Sequence, residues 1–279
     1  MKKFNKAVII GVGQIGASLG LNLTGRRMAR EVIGIGRNPK NLREAIRTGA
    51  IHRVGNVGEL SLLGKNDLVI LATPVRAIVD YFKKLSNKPL VIDVGSTKGG
   101  IVREGKRRSL LFIGCHPIAG TEKAGASAGD KNVFRGNLCI VTPTKASNSD
   151  VRKIEAFWKS LGAKVVVMEV HRHDQIFAAV SHLPHAAAFG LMTAVARLVR
   201  FPRDAQFIFS SLKGMTRIAA SPAEMWCDIF LENRNSILVG LGHFLLELKR
   251  LKTLIAAGES RPLLRYIEKA RKIRLGFPK

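Results

Sequence analysis

The chain has 279 residues, enough for a substantial core in two domains, and no apolar run reaches the ~18 residues that span a bilayer as a helix. Its 46 Lys and Arg against 20 Asp and Glu give a net charge of +26, yet the basic residues are dispersed and only 2 Trp and 2 Tyr could stack bases, so a nucleic-acid partner is not expected. Cys115, Cys139 and Cys227 are scattered and odd in number, which fits reduced thiols in a cytoplasmic protein better than a disulfide framework or a zinc site.

The chain passes from Met1-Lys2-Lys3 into a strand, not a cleavable signal. That strand, Ala7–Ile10, leads into Gly11-Val12-Gly13-Gln14-Ile15-Gly16, and a helix is predicted from Gln14 to Leu23. In this context the glycine spacing points to a dinucleotide. Gly11 permits the tight turn, Gly13 lets the backbone approach a pyrophosphate, and Gly16 lets helix and strand pack closely, with the diphosphate on the helix N-terminus beside Gln14 and Ile15. NAD or NADP is therefore the expected cofactor.

A second strand, Val32–Ile35, ends where an NAD site usually offers an acid to the ribose; here the chain reads Gly36-Arg37-Asn38. Arg37 either pairs with a 2′-phosphate, with Lys40 nearby, or stacks on adenine, and the missing acid tilts the reading towards NADP. A helix follows over Pro39–Thr48. The strand Leu68–Leu71 then delivers Thr73 and Pro74 to the carboxyl edge of the sheet, where Thr73 borders the cofactor and Pro74 either joins it or simply starts the helix Val75–Leu85.

The strand Leu90–Val94 is followed by Ser96 and Lys98, the latter an anion partner or a first-turn residue. After the strand Leu111–Ile113 comes Gly114-Cys115-His116-Pro117. Histidine suits removal of a hydroxyl proton near neutrality, although from composition His116 is as readily a structural residue. Strands Leu138–Val141 and Lys164–Met168, with a helix over Ser149–Leu161, complete an α/β, Rossmann-type doubly wound domain over residues 1–170.

From residue 171 to 279 the periodicity is helical, over Arg172–Arg200, Asp204–Ala219, Ala223–Ala257 and Pro262–Ile273. An all-helical C-terminal domain would close a cleft over the nicotinamide, and interfaces between domains are where small molecules bind. This stretch carries Ser181-His182-Leu183-Pro184-His185; taken alone, His182 reads as a core histidine.

In order, the fingerprint Gly11–Gly16, Asp93–Lys98, Cys115–Glu122, Asp174 with Ser181–His185, and Gly214–Ala219 followed by Met225-Trp226 resemble the prephenate/arogenate dehydrogenase family over nearly the whole chain. The resemblance implies oxidative decarboxylation of prephenate, or of arogenate, in tyrosine biosynthesis, by a homodimer that needs no metal. It makes His116 the catalytic base and Ser96 the residue that orients the hydroxyl. It assigns substrate contacts to His185 and Trp226, a substrate carboxylate to Arg217, and to Glu122 and Asp174 an ion network with that arginine at the cleft entrance. On the residues alone, Trp226 is equally a core residue and Asp174 a surface charge. A β-hydroxyacid dehydrogenase shares the layout but relies on a helical lysine, and a basic nucleotide-binding protein without turnover is the reading from another class.

Overall fold

The computed structural model describes residues 3–86, 88–119, 125–144, 146–200 and 203–277. The N-terminal half alternates strand and helix: β1 (Phe4–Ile10), α1 (Gln14–Gly25), β2 (Ala29–Ile35), α2 (Pro39–Arg47), β3 (Arg53–Val54), β4 (Leu68–Leu71), α3 (Val75–Phe82), β5 (Leu90–Asp93) and α4 (Gly99–Arg107). It continues with β6 (Phe112–Pro117), β7 (Leu138–Thr142), α5 (Asn148–Ser160) and β8 (Lys164–Val167). The strands form one sheet in the order β3-β2-β1-β4-β5-β6-β7-β8, whose first six are parallel. β7 runs antiparallel to β6, and β8 follows β7 in parallel. The reversal of strand order between β1 and β4 opens the crevice in which doubly wound folds hold dinucleotides.

Strand residues are apolar on both faces because both are covered. Ala7, Ile9, Ile70, Ile92 and Ile113 pack with Leu19, Leu23, Phe157 and Trp158 of α1 and α5. Val8, Ile10, Val69, Leu71 and Val91 pack with Ile78, Phe82 and Ile101 of α3 and α4.

The C-terminal half is helical: α6 (Val170–Phe177), a π-helical turn (Ala178–His182), α7 (Leu183–Leu198), α8 (Ser210–Thr216), α9 (Ala223–Glu232), α10 (Arg234–Ala257) and α11 (Ser260–Leu275). The π turn precedes Pro184, which has no N–H to donate and crowds the carbonyl one turn back, so the helix widens where a regular turn would clash. By length and composition the run Val170–Leu198 passes as a membrane crossing, contrary to the expectation from uninterrupted apolar runs. Its His173, Asp174 and His182 are nevertheless buried polar groups with protein partners.

Three expectations are corrected. His116 lies within β6, not beyond it, because β6 runs on to Pro117 to pair with β7. Lys98, expected as an anion partner or in the first turn of a helix, is the N-cap of α4, which opens on Gly99-Gly100, poor helix formers, and has its first amides capped by a side chain 75 residues away. The helix expected over Ala223–Ala257 is broken at Asn233, whose side chain turns inward to donate to the Asp174 carbonyl at 2.7 Å and to His182 Nδ1 at 3.2 Å.

Candidate active site

The cofactor end is built by the β1–α1 turn. Gly11 has φ +95°, and a Cβ there would sit 2.4 Å from the Ala72 carbonyl oxygen; one on Gly16 would sit 2.1 Å from the Gly11 oxygen. Gly13 faces open space, and as N-cap of α1 it provides no side-chain partner for the amides of Gln14, Ile15 and Gly16. An 820 Å³ cavity elsewhere, beside α4, is not the dinucleotide crevice. A second, of about 650 Å³, is lined by Gly11, Gly13, Arg37, Asn38, Thr73 and Pro74. The buried Thr73 Oγ1 has no hydrogen-bond partner, as a group awaiting a ligand would not. A glycine cradle at a helix N-terminus and an orphaned hydroxyl fit a dinucleotide diphosphate.

At the reacting end, Asp93 and Lys98 form a fully buried ion pair. Asp93 also accepts from Gly95 N at 2.8 Å and Cys115 N at 3.0 Å, so one carboxylate ties the end of β5 to the residue before His116. Lys98 is thus neither a substrate partner nor an ordinary first-turn residue. Ser96 sits in the same loop, half-buried, with Thr97 Oγ1 buried and unpaired beside it. Cys115 is buried and its thiol is pushed up to about 12, chiefly by burial, so it is no nucleophile.

His116 is 8% exposed and packs on Phe177, ring centroids 4.6 Å apart. Its Nδ1 lies 2.9 Å from Nε2 of His173, whose Nδ1 lies 2.8 Å from Oδ1 of Asp174. Asp174 also accepts from Lys98 N at 2.9 Å and Gly99 N at 2.8 Å. The carboxylate fixes the tautomers in turn: it accepts a hydrogen bond from His173 Nδ1–H, and His173 Nε2 then accepts from His116 Nδ1–H, leaving His116 Nε2 with a free lone pair. Burial, and then the nearby His173, Lys98 and His182, hold His116 well below the ordinary imidazole range. Burial also lowers His173, partly offset by Asp174. For Asp174 burial acts upward, but the hydrogen bonds from His173, Lys98 N and Gly99 N outweigh it and keep the carboxyl low.

Asp174 is therefore neither a surface charge nor an arginine partner, as expected from the sequence, because its oxygens are taken up by His173 and the α4 amides. Glu122 lies outside the described residues. His173 was missed altogether; its signal was adjacency to Asp174 one helical turn before Phe177.

A second cluster comes from the helices. His185 stacks on Trp226 and donates from Nδ1 to the Ser181 carbonyl at 2.9 Å, which leaves Nε2 free. Trp226 is buried, and its indole N–H has no partner. Arg217 is exposed, and its charge acts on His185 strongly enough to depress it further after burial. His182 is buried against Trp226 and bonded to Asn233, a structural role. Through Asn233, which reaches both Asp174 and His182, the two clusters are joined.

Residues 19–167 match the family model described as prephenate dehydrogenase, nucleotide-binding domain, and residues 169–269 match prephenate dehydrogenase, dimerization domain. A cyclohexadienyl dehydrogenase from Zymomonas mobilis is 30% identical over 99% of this chain and 97% of its own length. A prephenate dehydrogenase from Bacillus subtilis is 28% identical over 97% of this chain and 76% of its own. The crystal structure of prephenate dehydrogenase from Aquifex aeolicus, in complex with hydroxyphenyl propionate and NAD+, superposes with a TM-score of 0.89 at 32% identity, covering 98% of both chains. With both halves matched and the whole length covered, the chain belongs to the prephenate dehydrogenase family of nicotinamide-dependent oxidoreductases.

Proposed function

We propose that the protein converts prephenate to 4-hydroxyphenylpyruvate and carbon dioxide, within tyrosine biosynthesis. The observation that carries this reading is a neutral, buried His116 with a free Nε2, held near the carboxyl end of β6 in the sheet whose β1 and β4 ends carry the dinucleotide crevice. Bound nicotinamide dinucleotide supplies the hydride acceptor for C4 of the ring. His116 Nε2 takes the C4 hydroxyl proton as Ser96 orients that hydroxyl. The resulting ketone is conjugated to the carbon bearing the ring carboxylate, so the C1–carboxylate bond breaks, its electron pair enters the ring, and carbon dioxide departs. The phenolate oxygen recovers the proton from His116, which leaves the residue ready for another turnover. Arg217 binds a substrate carboxylate through paired hydrogen bonds, with His185 Nε2 and the unpaired Trp226 N–H as further contacts.

The absence of an acid after β2, with Arg37 lining the crevice, supports NADP over NAD. A homodimer is supported by surface: the chain exposes 16550 Å², whereas a compact monomer of 30.5 kDa exposes about 11,800 Å². Much of the excess is apolar, including Leu238, Val239, Leu245 and Leu246 on α10. Such an enzyme would work in the cytoplasm, its helical domain covered by a second copy and not by a membrane.

The test is a spectrophotometric assay of reduced nicotinamide with prephenate and arogenate, each with NAD and NADP. Turnover of prephenate with the greater kcat/KM is expected. A preference for arogenate would assign the alternative substrate, and silence from folded, cofactor-binding protein would remove the reading.

A further inference from the structure

Burial weakens His116 as a base. Its ring is enclosed, and the Lys98 ammonium lies close enough to oppose a second positive charge. Lys98 opposes that charge although it is itself paired with the buried Asp93. An imidazolium confined to His116 is thus in a poor position. The neighbouring ring is better placed, because Asp174, buried and ionised, stands 2.8 Å from its far nitrogen.

We propose that His173 is a positioning residue that receives, through His116, the charge of the proton removed from substrate. The step rests on the reaction proposed above. The substrate hydroxyl proton bonds to His116 Nε2 while the proton on His116 Nδ1 crosses the 2.9 Å hydrogen bond to His173 Nε2. His116 stays neutral, and His173 becomes an imidazolium facing Asp174. Donor and acceptor are the same kind of group, so the transfer is close to thermoneutral before the carboxylate favours it. When the phenolate takes its proton back, both protons return along the same path and no net charge remains. Asp174 keeps its own charge throughout, as a carboxylate behind a catalytic imidazole does in the serine-protease triad.

The groups that face this pair come from four elements. His173 and Asp174 belong to α6, Lys98 precedes α4, His182 lies in the π turn, and Asp93 ends β5. Of these, Asp174 alone makes a direct hydrogen bond to the outer ring. Removing His173 leaves the proton on a ring on which the charges of Lys98 and His182 act, both of which disfavour it.

The decisive comparison is wild type against His173→Gln and Asp174→Asn, with kcat and KM followed across the acid limb. Gln can still accept from His116 Nδ1 but cannot take a proton. For His173→Gln, kcat is expected to fall about a hundredfold with KM and cofactor affinity nearly unchanged, and the acid limb to move about one pH unit lower. Asp174→Asn, which keeps an oxygen for the Lys98 amide and His173 but loses the charge, is expected to move the limb in the same direction. Unchanged kcat and limb in folded His173→Gln would overturn the proposal. Imidazole nitrogen NMR of the wild-type protein decides independently of activity: protonated His116 Nδ1 with unprotonated His173 Nε2 is expected, and the reverse tautomers overturn it. Absence of wild-type turnover would remove the proposed reaction and leave the tautomer result standing.

Discussion

His185 lies nearly face to face with Trp226, ring centroids 3.6 Å apart and planes inclined by 22°. The stack holds the imidazole flat while Ser181 fixes its tautomer, so its free nitrogen has one direction in which to act.

Among the described residues Arg217 has no carboxylate within ion-pair distance, so a substrate carboxylate would give it one. Arg217→Ala is expected to raise the KM for prephenate about ten- to a hundredfold, with kcat changed far less. Steady-state kinetics give both constants, and a loss confined to kcat would contradict an anchoring role.

His116→Asn keeps the residue's polarity but removes the base. Turnover is expected to drop by about three orders of magnitude, while isothermal titration shows cofactor affinity unchanged. Comparable turnover in the variant would show that the proton leaves by another route.

Three buried histidines make stability depend on pH. Burial first of all makes His116, His173 and His182 less basic in the fold than in the unfolded chain, His182 down to about 4. Between those lowered values and an unfolded pKa of about 6.5 the unfolded chain binds more protons, so stability rises with pH through the window and is lost as pH falls. The thermal unfolding midpoint should climb across that range and level above it; a midpoint that declines with rising pH would count against neutral histidines in the fold.

Arg37→Asp should reverse the cofactor preference. An aspartate there accepts from ribose hydroxyls and repels a 2′-phosphate, so the NADP-to-NAD ratio of kcat/KM is expected to fall at least about tenfold. An unchanged ratio would mean that Arg37 touches adenine alone.

On α10, Leu246→Glu places a charge within the exposed apolar face. Analytical ultracentrifugation should show a dimer for the wild type and monomer or mixed species for the variant. A wild-type monomer at micromolar concentration would leave the apolar face without its proposed partner.

The parallel sheet and the cofactor turn were legible because their signals are local: apolar runs ending in glycine-rich turns. His116 and His185 drew attention through the two histidine segments that carry the family resemblance. What escaped was made by distant contacts. The cap on α4 comes from Asp174, the break at Asn233 from groups on α6 and the π turn, and the importance of His173 from a strand 57 residues earlier. Asp174 was assigned to an ion network with Arg217 because its backbone amide partners are not visible in sequence. Lys98 looked like a ligand for anions because nothing local shows that Asp93 neutralises it.

The π turn at Ala178–His182 sets the rotational phase between the two ends of one continuous helix. Each residue added to or taken from a helix turns everything beyond it by about 100°, so this turn indexes His185 relative to His173. Were the same residues wound as a regular helix, the extra residue would turn everything beyond it by about 100° and swing His185 off the Trp226 ring, with His173 left in place. The two halves of the site would lose their common aim even though every side chain that handles protons or carboxylates was still present.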